Sequence, residues 1–164
     1  MRISSSLLSG LCLAAILQAT AFAQSPHFIH TATVSAVGTD GSISISFKEA
    51  GLGGGQTITY TMGGSFSAHY GCVNRGGNHP SASNKTAESG AVDVITTRTA
   101  SKNGSISSTV SFTPPDPDSV LSCPGNQVAV LADITYSDLT LTDTTNGISA
   151  PLDATSRSAV FFTF

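Results

Sequence analysis

The sequence predicts an all-β protein: an antiparallel β-sandwich, immunoglobulin-like with Greek-key connections, of eight or nine strands. Three observations carry this. Apolar and polar residues alternate with period two over most of the chain beyond residue 24. Turn signals such as Asp40-Gly41 and Asn103-Gly104 separate the alternating runs at intervals of roughly 10–15 residues. No amphipathic helical stretch of useful length follows the N-terminal segment. A closed β-barrel is the alternative architecture. The chain contains no Trp, so any immunoglobulin likeness is architectural.

The elements follow in order. His27 to Val37 reads as a first strand. Asp40-Gly41 then predicts a hairpin, and in the following SISISFKE Ile43, Ile45 and Phe47 share one face, with Ser42, Ser44 and Ser46 on the other. Lys48-Glu49 reads as a solvated strand end before the glycine-rich break at 51–55. Ile58, Tyr60 and Met62 line up in the next strand, and Gly63-Gly64 reads as a turn. Phe66, Ala68, Tyr70 and Cys72 share a face, with His69 opposite. A polar loop is expected over residues 74–89, and strand character returns at Ala91–Thr99. After the Lys102-Asn103-Gly104 turn, Ile106, Val110 and Phe112 line up. A second loop, 114–126, carries four prolines. Val128, Val130, Ala132, Ile134 and Tyr136 then read as one inward face, continued by Leu139 and Leu141. The chain ends in an apolar strand, Ser158–Phe164.

The first 23 residues have the form of a secretory signal peptide. Arg2 gives a basic start, Leu7–Ala21 is mostly apolar and uncharged, and Ala21-Phe22-Ala23 fits the small-x-small cleavage rule. The apolar run is short of the roughly 20 residues that span a bilayer. The expected mature unit is one domain, 24–164, secreted or, in a Gram-negative host, periplasmic. Two cysteines remain in it, Cys72 and Cys123, and in an oxidising compartment they read as one disulfide. The mature unit has 6 basic against 10 acidic residues, with the basic ones scattered. That excludes a nucleic-acid surface, which needs clustered Lys and Arg. The aromatic girdles and lipid-facing band of a membrane barrel are absent from the pattern, so no membrane insertion is expected.

The densest polar cluster is the loop CVNRGGNHP. Asn74, Arg75, Asn78 and His79 form the candidate ligand-binding loop: Arg75 can clamp an anion and His79 titrates near neutrality. The competing reading is a turn-rich connection using Asn and Gly for unusual backbone angles. No metal site or cofactor is expected. His27 and His30 are three apart and point to opposite faces of a strand, and no HxH or HExxH occurs. The late acidic pairs, Asp116 with Asp118 and Asp138 with Asp143, lack EF-hand spacing. No GxSxG motif supports a nucleophilic serine, so no catalytic residue is assigned. Asn84 and Asn103 head glycosylation sequons.

The segments SFKEAGLG, CVNRGGNHP, SCPGNQ and TLTDTTNG together resemble a family of small secreted bacterial and fungal proteins with no assigned activity. The resemblance implies extracellular placement and a one-domain β-architecture, and no catalytic residues. The functional expectation is a disulfide-stabilised β-sandwich with a non-enzymatic binding or surface-adhesion role toward an extracellular ligand. The alternatives are a small secreted hydrolase with its site in the 74–89 loop, and a structural component of the cell envelope. Carbohydrate is disfavoured as ligand because all three tyrosines, Tyr60, Tyr70 and Tyr136, fall on inward faces.

Overall fold

The computed structural model describes residues 24–74 and 84–163. The expected signal segment therefore lies outside the described residues, as do Arg75, Asn78 and His79. The strands are β1 (His27–Phe28), β2 (Thr33–Val34), β3 (Ile43–Ala50), β4 (Thr57–Asn74), β5 (Lys85–Thr99), β6 (Ile106–Phe112), β7 (Gln127–Asp143), β8 (Ile148–Ser149) and β9 (Arg157–Val160). One helical turn, α1 (Pro117–Val120), interrupts the proline-rich loop and is capped by the Asp116 carboxylate.

All strand pairs are antiparallel. In the first sheet β3 runs between β6 on one side and β1 and β2 on the other. In the second, β4 lies between β5 and β7, and β8 and β9 follow one another along the far edge of β7. Neither sheet closes into a barrel. The two pack face to face over one core. Ile43, Ile45, Phe47, Ile106 and Val110 meet Ile58, Tyr60, Met62, Phe66, Ile134, Tyr136, Leu139 and Leu141 there. Rings interlock across it: Phe47 lies 4.6 Å from Tyr60, and Phe112 lies 5.4 Å from Phe66 and 6.0 Å from Tyr136.

Polar contacts stitch the sheets along both sides. On one, Ala32 bridges Leu152, and Val34 N donates to Asp153 Oδ1 at 2.8 Å. Arg157 donates to the carbonyls of Val34 and Ser35. On the other, Arg98 Nε donates to Ser108 Oγ at 2.7 Å.

The period-two reading holds for β3 and for both halves of β4. Three boundaries differ. The first strand is split into β1 and β2, because His30 adopts φ 63° between them. Strand β5 begins at Lys85, so the end of the predicted 74–89 loop is strand. The terminal strand stops at Val160, and Phe161 N and Phe162 N both donate to the Ala132 carbonyl.

Gly63-Gly64 is not a turn. β4 continues through it, and the register slips between Gly63 and Ser65, where Asp138 and Leu139 of β7 oppose Gly64 alone. This is a β-bulge: Gly64 takes φ 148° and Asp138 φ 53°. Asp138 and Leu139 thus form the bulge, and the extra residue brings Leu139 and Leu141 back to the core. A second slip, between His69 and Tyr70, leaves Ala132 unpaired. It corrects the predicted inward face of β7. Beyond the bulge the parity inverts, so Leu131 is buried while Val128 turns outward, 41% exposed.

Candidate functional site

Cys72, at the end of β4, is bonded to Cys123 in the loop entering β7, with the two Cα atoms 5.7 Å apart. The described residues that flank the predicted binding loop, Asn74 and Asn84, lie at this end of the sandwich. Of the loop's candidate residues only Asn74 is described, exposed and paired with Gln127. On the return side Asn84 Nδ2 donates to Gln127 Oε1 at 3.3 Å, so the two loop ends are tied to the same residue of β7. The other sequon residue, Asn103, is exposed in its turn.

Concave surface lies on either flank of a ridge the sequence did not single out. Val160 is 67% exposed and Phe162 40%. On one flank is a hollow of about 830 Å³, walled by Pro114, Pro115, Pro117, Leu131 and Phe161. On the other is a hollow of about 650 Å³ that contains His69, Lys85, Thr86 and Asp133. Both fall within the size range of ligand sites. The ridge exists because β9 ends at Val160 and the chain then hooks over the β7 bulge by its two bonds to Ala132. Its residues cannot turn inward, since Leu131, Ala132 and Ile134 already fill the core beneath.

The polar hollow holds the exposed pair His69–Asp133, with Nδ1 donating to Oδ1 at 2.7 Å. They face each other because the β4–β7 register makes them directly opposite on the outer face. Asp133 orients the imidazole, which stays exposed. The outward neighbours Ser67 and Thr135 are one pleat away along the strands, about 7 Å at the strand rise.

The second polar constellation is buried between the sheets at the other end. Glu49 and Asp143 are both fully buried. The Tyr60 hydroxyl donates to Glu49 Oε2 at 2.6 Å. Asp143 accepts from the backbone N–H groups of Thr145 and Asn146 and from the Asn146 amide, which closes the following turn. Burial pushes the Glu49 carboxyl up to about 7. The hydrogen bond and charge of Asp143 add to this, while the Tyr60 hydroxyl and nearby His27 pull the other way. Glu49 Oε1 has no donor among the described residues. Two carboxylates cannot bond to each other, so a proton on Glu49, donated toward Asp143, satisfies both. Glu49 is therefore not a solvated strand end: it continues the inward parity of Ile43, Ile45 and Phe47, as Asp143 continues that of Leu139 and Leu141. That parity was the available signal, and the charge obscured it.

Asn74 lies 14 residue steps along β4 from Tyr60, roughly 45 Å at the strand rise. Glu49 therefore lies at the opposite end of β4 from Asn74. Glu88 is exposed on β5. The acidic pairs weighed for calcium have local uses: Asp116 caps α1 and Asp143 closes its turn. The tyrosine hydroxyls are likewise spent inside, Tyr70 on the Pro115 carbonyl and Tyr136 on that of Gly41. Burial raises the pKa of all three tyrosines. No protein-family model, curated protein or solved structure matches this chain.

Proposed function

We propose that this chain is a secreted, immunoglobulin-like binding domain that adheres to an extracellular polysaccharide through the Val160–Phe162 ridge and its two flanking hollows. The observation that carries the reading is an exposed aromatic beside a hydrogen-bonding pair, Phe162 beside His69–Asp133. A sugar chain presents the matching chemistry: C–H faces that lie on an aromatic or proline surface, and hydroxyls that bond to imidazole and carboxylate. Phe162 supplies the platform that the inward tyrosines do not. The disulfide and the absence, among the described residues, of any helix long and apolar enough to cross a membrane fit an extracellular setting.

Ser67 and Thr135, the outward hydroxyls on the same two strands, stand about 7 Å along the strands from the His69–Asp133 pair, which favours binding over hydrolysis. The test is co-sedimentation of residues 24–164 with insoluble cell-wall polysaccharide. Retention of the native domain is expected, reduced about tenfold or more by Phe162→Ala, the scale of a binding hot spot. No retention on any polysaccharide, or retention indifferent to Phe162→Ala, overturns the reading.

A further inference from the structure

We propose that two copies of this chain pair edge to edge along β5, joining their second sheets into one continuous sheet across a two-fold axis at Gly90. β5 is 15 residues long and, among the described residues, pairs with β4 alone. From Lys85 to Ala91 nearly every residue is exposed, on both faces, so this half of the strand stands clear of the sandwich. An unpaired strand edge carries a row of backbone donors and acceptors ready to accept another strand. Proteins usually blunt such edges with proline, lysine, bulges or brevity. The other flanks of this molecule are shorter: β1, β2, β8 and β9 run two to four residues each, and the β6 edge of the first sheet runs seven. From Lys85 to Ile95 there is no Pro and no register shift in the β4–β5 ladder, and the one Lys, Lys85, stands at the end of the segment.

The occupant that fits is a second copy, because the segment is complementary to itself when run antiparallel. With Gly90 on the axis, Ser89 faces Ala91, Ala87 faces Asp93 and Lys85 faces Ile95 of the second copy. Small residues surround the axis, where the strands approach most closely. No like charges stand opposite one another. Asp93 falls diagonal to Lys85 of the second copy on the same outer face, and symmetry makes this pair twice; diagonal neighbours of this kind are within reach of a long side chain. The Lys85 stem covers Ile95, which is 67% exposed in the single chain. The symmetry is closed, so pairing stops at two.

The test is sedimentation velocity of the purified protein over a concentration series, with each variant checked for native melting. The native chain is expected to dimerise. Ala91→Lys sets two like charges beside the axis and should weaken the dimer about tenfold or more. Asp93→Lys should weaken it as well, and the swap Lys85→Asp with Asp93→Lys should restore it. The proposal is overturned by a monomer at every concentration, by a dimer indifferent to Ala91→Lys, or by a swap that restores nothing. Saccharide binding is read on Ala91→Lys, which lies outside both hollows, so failure here is distinct from failure at the Phe162 ridge.

Discussion

The two ends of β4 hold comparable acid-containing pairs in opposite surroundings. Near Tyr60 the strand meets Glu49 and Asp143 with water excluded. Near its other end His69 meets Asp133, with 55% and 36% of their side chains exposed. The lesson lies in what solvent does to each. The exposed pair keeps its hydration and adds little to stability, so it is available to a ligand. The buried pair has lost its hydration, cannot carry two charges, and answers to pH instead. The open end is correspondingly held by a covalent bond, Cys72–Cys123, and the closed end by hydrogen bonds.

The largest expected effect breaks the open end. Cys123→Ser releases a cross-link spanning 51 residues, worth about 4 kcal/mol in the chain-entropy account. Thermal melting should fall by many degrees, and an unchanged melt removes the disulfide from the stability of this end.

Next comes the closed end. In the folded protein the Glu49 carboxyl is raised from 4.5 to about 7, so between these values the folded state holds a proton that the unfolded chain has lost. Stability is therefore full below the unfolded value and declines as pH rises through about 7, by about 3 kcal/mol in all. Urea titrations across that window should show the decline, and Glu49→Gln, which donates permanently toward Asp143, should flatten it. An equally steep decline in Glu49→Gln assigns the dependence to other groups.

The smallest effect sharpens the contrast. His69→Ala removes an exposed pair and should change unfolding free energy by less than about 1 kcal/mol. A loss as large as that of the disulfide shows that the open end relies on this pair structurally.

Much of the fold was legible in the residues. The alternation of Ile43, Ile45 and Phe47, and that of Ile58, Tyr60 and Met62, named the inward faces without ambiguity. The bulges at Gly64 and Ala132 were not legible, because a bulge is a relation between two strands and each strand alone shows only a local break in pattern. The same holds for the site. Exposed Phe162 and the His69–Asp133 pair arise from register, whereas polarity alone pointed to the loop at Asn74, Arg75, Asn78 and His79, of which only Asn74 is described.

Local chemistry thus determined by itself that this chain is built of antiparallel strands, which side chains face inward along most of them, and which two cysteines are available to bond. Only the tertiary structure decided that Glu49 and Asp143 share a dry pocket and that Phe162 stands out beside His69. Period-two patterning records which face a residue takes, while the register between distant strands, 64 residues apart for His69 and Asp133, determines which residues on that face become neighbours.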